Sequence, residues 1–288
     1  MNIAVFGNSY QEKYKSQLGE FLHSLPHAHE VTIERKFASY LRHVGVDTAG
    51  AGEFDVDTFA GAELAVSIGG DGTLLSKAAL LARSATPVVG INTGHLGYLA
   101  ACRIGEAPAM IEKIKNGDYR REQRTMLRLL EIDGKPCEEI LALNEIAILR
   151  QDTTSMISMP TTINGTMLTT YKGDGLVIST PTGSTAYNMS VGGPIINPST
   201  SCLVLSPISP HSLTMRPIVV DDDSVIDVTI NTRAKWIQVS VDGMAMTLPS
   251  GSTVKIALAP HRLSVIQRHD HNFAETLREK LLWGADQR

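Results

Sequence analysis

The chain has 288 residues, 43% apolar and 19% charged, enough for one large domain or two ordinary ones with full cores. A net charge of −4 gives no global electrostatic case for nucleic-acid binding, and no apolar run approaches the roughly 20 residues that a membrane span needs. Three widely spaced cysteines, Cys102, Cys137 and Cys202, make neither a disulfide framework nor a metal knuckle, which points to a reducing cytoplasm. The first seven residues lack a basic leader and read as a strand.

From there to about residue 120, short apolar runs alternate with helix-like segments. Strands are predicted over 3–6, 31–35, 64–68 and 88–91, where β-branched residues stand between Gly and Pro. Helix-period apolar positions fill 11–25, 73–83 and 106–115. Strand alternating with helix implies a parallel sheet covered on both faces. Near Arg120 the pattern changes. Turn signals recur at Asp133-Gly134, Asn164-Gly165, Asp174-Gly175 and Pro249-Ser250-Gly251, with alternating runs over 146–149, 224–230 and 236–241 between them. That is the pattern of an all-β domain of many short strands. Asn164-Gly165-Thr166 also matches a glycosylation acceptor, but its strand-like flanks favour a hairpin turn. Residues 273–283 are helical again, and the apolar face of a lone helix must pack back on the α/β half. The expected ligand site is a cleft between the two halves.

Leu64–Ile68 runs into Gly69-Gly70-Asp71-Gly72-Thr73, followed by a helix. Strand, glycine turn, helix is the geometry that aims backbone N–H groups at a phosphate, and glycines accept positive φ and close approach. Asp71 is the one large side chain in this turn. A carboxylate at an anion site repels phosphate unless it takes a proton from a hydroxyl or holds a Mg²⁺ that bridges to phosphate. The bland alternative is a tight turn with Asp71 as a helix cap. Neither a Walker loop nor a Gly-x-Gly-x-x-Gly fingerprint occurs.

Further motifs follow in order: Gly90-Ile91-Asn92-Thr93-Gly94-His95-Leu96-Gly97-Tyr98-Leu99, Leu143-Asn144-Glu145, Lys172-Gly173-Asp174-Gly175, Thr182-Gly183-Ser184-Thr185-Ala186-Tyr187, Pro210-His211-Ser212-Leu213, Arg216-Pro217 and Val241-Asp242-Gly243. With the glycine turn, these resemble the motifs of bacterial NAD kinases, members of the superfamily of 6-phosphofructokinase and the diacylglycerol kinases. The match runs from about residue 64 to residue 243, and the first sixty residues carry no motif. The resemblance implies transfer of the ATP γ-phosphoryl group to the 2′-hydroxyl of the adenosine ribose of NAD, a divalent metal (usually Mg²⁺), and a homo-oligomer, dimer or tetramer. It implies an α/β, Rossmann-like N-terminal domain over 1–120 plus 268–288, and a sandwich-like β domain that binds NAD over 121–267.

The resemblance also implies roles. Asp71 would accept or orient the ribose hydroxyl proton, with Gly72 giving a backbone N–H and room. Asn144 and Glu145 would bond ribose hydroxyls or adenine, which requires a strand end or bulge, because neighbours on a strand face opposite ways. Asp174 would meet the nicotinamide end, and Lys172 a phosphate. Thr182, Thr185, Ala186, Tyr187 and Ser190 would line the adenine and ribose. Tyr187 has the alternative of a core aromatic, and Asp174 of a hairpin-turn residue. Asn92, His95, Ser155, Ser209 and Asp242 complete the candidates. For His95, His211 and Arg216 a structural role is the stronger reading, and Asp221-Asp222-Asp223 reads as a solvated turn. No protein metal ligand is assigned. Two rival functions remain at this point: a lipid kinase of the diacylglycerol type, and an NAD-binding sensor without catalysis.

Overall fold

The protein was described from a computed structural model covering residues 1–9, 12–25, 30–48, 50–94, 97–151 and 156–281. The chain divides into two units, Met1–Gln123 with Leu263–Arg288, and Arg124–Arg262.

The first unit opens with β1 (Ile3–Gly7), α1 (Lys15–Ser24), β2 (Val31–Glu34), α2 (Arg35–His43) and β3 (Gly52–Phe54). It continues through β4 (Leu64–Ile68), α3 (Asp71–Arg83), β5 (Val88–Asn92), β6 (Ala100–Arg103), α4 (Ala107–Lys115) and β7 (Arg120–Arg124). All five residues of β4 and of β5 are buried, as expected for apolar runs covered on both faces. The sheet runs in the order β3-β2-β1-β4-β5 and continues to two further strands, with β6 also on β5. Strands β1 to β3 step one way and β4 to β5 the other, so the direction reverses between β1 and β4. Loops leaving the carboxyl ends of those two strands diverge, which opens a crevice there. Across it the Asn8 amide donates to Thr73 Oγ1 at 2.8 Å, tying the end of β1 to the start of α3.

The second unit is antiparallel. Its strands are β8 (Leu127–Ile132), β9 (Lys135–Ala142), β10 (Glu145–Arg150), β11 (Ile157–Ile163), β12 (Thr166–Gly173), β13 (Gly175–Ser179), β14 (Cys202–Ile208), β15 (Ile218–Asp221), β16 (Ile226–Thr229), β17 (Trp236–Val241), β18 (Met244–Pro249) and β19 (Thr253–Leu258). A short helix, α5 (Tyr187–Ser190), lies between β13 and β14. They form two six-stranded sheets, β15-β14-β13-β10-β17-β18 and β12-β11-β16-β19-β8-β9. Alternate residues of both sheets, among them Ile146, Ile148, Met159, Leu176, Ile178, Val228, Val239 and Ile256, share one apolar core. That is sandwich packing. Asn164 and Gly165 turn β11 into β12 with φ of 51° and 75°, the hairpin conformation expected of Asn-Gly.

One expectation needs correction, one helix was missed, and one alternative reading fails. Residues 263–267 were assigned to the β half. They form β20 (Leu263–Gln267), which pairs parallel with β5 through Val265 and Val88 in the first unit. A short apolar run does not reveal whether its neighbours will be parallel or antiparallel. The helix α2 was not foreseen: its basic, aromatic segment follows directly on β2 with no glycine or proline between them. Asp174-Gly175 is not a hairpin turn, because β12 and β13 lie in different sheets and Asp174 is the crossing point. The last element among the described residues is α6 (Phe273–Leu281), with Thr276 buried and Phe273, Leu277 and Leu281 half-buried, within the first unit.

Candidate active site

Asp71 is the first residue of α3, and its N-cap is Gly70, with no side-chain cap bond. Only Gly69 of the turn's glycines uses positive φ, at 149°, and a Cβ there would sit 2.3 Å from Thr73 Oγ1. Gly70 is extended and Gly72 is exposed with open space around it, so their use is room for a ligand. The Asp71 side chain is neither a cap nor loose in the turn. Its Oδ2 accepts the Tyr98 N–H at 2.6 Å and its Oδ1 the Leu99 N–H at 3.2 Å. The carboxylate is thereby held against the segment that follows β5, with lone pairs left over for a further donor. Burial raises the Tyr98 phenol above its usual range and the Asp71 charge adds to that. On α6, burial lowers the Lys280 ammonium, opposed by the attraction of Asp71.

Asn92 is buried and its Oδ1 accepts the Gly94 N–H, a local turn at the end of β5. His95 and Ser155 lie outside the described residues.

In the second unit a different carboxylate organises the backbone. Asp242, in the left-handed region at φ 48°, accepts the Leu143, Asn144 and Glu145 N–H groups at 2.6, 2.9 and 3.0 Å. This bend at the head of β10 is the strand end that Asn144 and Glu145 require to serve one ligand. Asp242 was a candidate ligand contact; its oxygens instead hold the Asn144-Glu145 backbone. Asp242→Ala removes three charge-assisted bonds and leaves the buried amides unsatisfied, which should lower stability by about 3 kcal/mol. Urea unfolding should show the lower midpoint, and an unchanged midpoint would rule the clamp out.

The Thr182–Tyr187 segment lies on the same bend. The Thr180 N–H donates to Asn144 O at 2.9 Å, and Thr180 Oγ1 bridges from Leu143 O to the Gly183 N–H. Gly183 is required: a Cβ there would lie 2.1 Å from Asn144 O. Thr182–Thr185 make one 3₁₀ turn and Tyr187–Ser190 one α-helical turn. Asn188 anchors both, accepting from the Ser206 hydroxyl at 2.6 Å and donating to Ser184 O and Pro194 O. Tyr187 is no core aromatic, being 36% exposed, and Ser190 is exposed beside it, while Thr185 and Ala186 are half-buried. Burial, and then the Asp242 charge, push the Glu145 carboxyl up to about 7, opposed by the Tyr187 N–H. Glu145 Oε2 and Thr182 Oγ1 are buried without a hydrogen-bond partner among the described residues.

Lys172, Asp174 and Ser209 form a separate group. Glu145 pairs with Ser179 and Leu149 with Gly175, so Asp174 stands at the other end of the β10–β13 pair. Five residue steps, from Ser179 to Asp174, make this about 17 Å from the Asn144-Glu145 bend. Asp174 pairs with Arg150 at 3.0 Å, and its N–H donates to Ile208 O. Ser209 is exposed, with φ 44°. The His211 N–H donates to Lys172 O, and the Arg216 guanidinium donates to Leu213 O and Met215 O, so both residues shape the loop.

A doubly covered parallel sheet with a Gly-Gly-Asp-Gly turn, followed in one chain by an antiparallel sandwich, is the build of the kinase class that shares this turn. Residues 9–119 match the ATP-NAD kinase N-terminal domain and residues 143–268 the ATP-NAD kinase C-terminal domain. The chain is 42% identical over 290 residues to the NAD kinase of Bacteroides fragilis, covering 100% of both chains. It is 40% identical to that of Porphyromonas gingivalis over 98% of each. In fold it resembles yeast NADH kinase in complex with NADH, at a TM-score of 0.87, 22% identity, 100% coverage of this chain and 89% of that one. It also resembles an NAD kinase from Archaeoglobus fulgidus in complex with ATP, at a TM-score of 0.74, 24% identity, 97% and 99% coverage. The chain belongs to the ATP-NAD kinase family.

Proposed function

We propose that this chain transfers the γ-phosphoryl group of ATP to the 2′-hydroxyl of the adenosine ribose of NAD, giving NADP and ADP, with Asp71 accepting the hydroxyl proton. The observation that carries the reading is the Asp71 carboxylate, delivered by the glycine turn and held by the Tyr98 and Leu99 amides. An alcohol attacks phosphorus poorly until its proton has an acceptor at hydrogen-bond distance. In the transfer the ribose oxygen bonds to the γ-phosphorus, the bond from that phosphorus to the bridging oxygen breaks, and the proton passes to Asp71. The Gly72 N–H and the open space at Gly70 and Gly72 suit a phosphate at the start of α3.

In the second unit, Asn144 and Glu145 bond ribose hydroxyls or adenine. The unpartnered Glu145 Oε2 supports this, since a buried acceptor without a donor is costly unless a ligand supplies one. Thr182, Thr185, Ala186, Tyr187 and Ser190 line the same end. Asp174, about 17 Å along the strands, and Lys172, two residues before it, suit the nicotinamide end and a phosphate of an extended dinucleotide.

Among the described residues, no group of three or more His, Cys, Asp or Glu side chains is arranged to hold a metal ion. With Asp71 given to the proton, this lining fits a Mg²⁺ carried mainly by ATP phosphates, an ion that keeps several waters and needs few protein ligands. Bound there, the ion would neutralise charge on the transferring phosphoryl group. The same reading assigns a homo-oligomer of two or four subunits and a cytoplasmic location, which suits the free thiols of Cys102, Cys137 and Cys202.

The test is incubation with Mg²⁺ and NAD or NADH, with ATP or polyphosphate as donor, followed by coupled detection of NADP. NADP formed from ATP and NAD is the expected result. Phosphorylated diacylglycerol with no NADP would overturn it in favour of a lipid kinase, and NAD binding without turnover in favour of a sensor.

A further inference from the structure

We infer that Gly97 is a positioning residue for the Asp71 carboxylate: the absence of a side chain at residue 97 is what allows the following two amides to hold Asp71 in one orientation. The inference rests on the reading of Asp71 as proton acceptor. A Cβ built on Gly97 would lie 1.8 Å from Asp71 Oδ1, 2.3 Å from Cγ and 2.5 Å from Oδ2, so its nearest neighbours are the carboxylate itself. The carboxylate therefore lies flat against the backbone at residue 97, and from there Oδ2 reaches the Tyr98 N–H and Oδ1 the Leu99 N–H.

This close approach is different in kind from the one at Gly183. At Gly183 an added Cβ would meet immovable backbone, and the fold would have to give way. At Gly97 it would meet the far end of a side chain on the exposed start of a helix, which can rotate away. A methyl group at residue 97 thus leaves the sheet and helix intact and displaces the reacting carboxylate. Losing both amide bonds also restores rotational freedom that the bonds remove.

The experiment compares wild type, Gly97→Ala, Asp71→Asn and the double variant, with Gly105→Ala as control, since a Cβ at Gly105 meets nothing within 4 Å. Gly97→Ala should lower kcat about 100-fold, the order a misplacement of about 1 Å costs, with KM for NAD and ATP within about threefold. NAD affinity by calorimetry and the thermal midpoint should stay near wild type. In the Asp71→Asn background, Gly97→Ala should cost nothing further, because residues acting through one group are not additive. Should Gly97→Ala fail to fold, an ester in place of the Tyr98 amide, made by incorporating the corresponding hydroxy acid, removes the donor alone and should cost about tenfold in kcat. Wild-type kcat in Gly97→Ala beside an inactive Asp71→Asn overturns the inference and leaves the base intact. So does a full multiplicative loss in the double variant. A fully active Asp71→Asn instead overturns the proton-acceptor reading, and the role of Gly97 with it.

Discussion

Asp71→Asn is expected to lower the rate of NADP formation by about 10³-fold while NAD still binds, within the range that loss of a positioned general base produces. The substitution keeps the size of the side chain and one carbonyl oxygen. Of the two bonds that hold it, from the Tyr98 N–H at 2.6 Å and the Leu99 N–H at 3.2 Å, one can survive on Oδ1. The other would bring an amide NH₂ against a backbone N–H, and the carboxamide accepts no proton at neutral pH. Both the acceptor and part of its orientation are therefore lost, which falls on kcat and leaves the contacts to the dinucleotide in place. A coupled NADP assay gives kcat and KM, and calorimetry gives NAD affinity. Full activity in this variant would mean that orientation and electrostatics carry the rate without a base.

Glu145→Gln should stabilise the protein at pH 8 by about 2 kcal/mol and change little at pH 5. The carboxyl releases its proton near 4.5 when unfolded and at about 7 when folded, driven first by burial and then by the Asp242 charge. Between those values the folded state holds a proton that the unfolded state has lost, so the favourable contribution, complete below 4.5, drains away as pH rises through 7. The raw difference corresponds to about 3 kcal/mol, discounted because Glu145 keeps some solvent contact. Glutamine is neutral throughout and escapes the penalty. Urea midpoints of both proteins at pH 5 and pH 8 check this, and a gap that does not depend on pH would refute it. A fold that keeps such an acid at a cost in stability has a use for it, and perturbed carboxyls of this kind gather at functional sites.

Much of this site was legible from residue order alone. The apolar run of β4 predicted its burial on both faces, and Gly-Gly-Asp-Gly directly after it predicted a carboxylate at the head of a helix. The Asn164-Gly165 hairpin was legible for the same reason, since its φ values of 51° and 75° are a local preference of those residue types. Asp174-Gly175 carried the same kind of local signal, yet its hairpin alternative fails. Its glycine is there because a Cβ at residue 175 would lie 2.3 Å from Ile148 O, a packing demand made by another strand. The Leu263–Gln267 strand failed likewise, its sheet being set by Val88, far back in the chain.

By itself, then, the sequence determined the family, the two kinds of architecture and the place of the Asp71 carboxylate at the head of a helix, because each is written in residue types within a few positions of one another. Only the tertiary structure decided where that carboxylate points. Asp71 is oriented by amides 27 and 28 residues away, and the Asn144-Glu145 bend by Asp242, 97 to 99 residues away. Backbone N–H groups are the same at every position, so no residue type announces which of them will hold a carboxylate. Strand register and the space left by a missing Cβ make that choice, and both exist only once the sheets have formed.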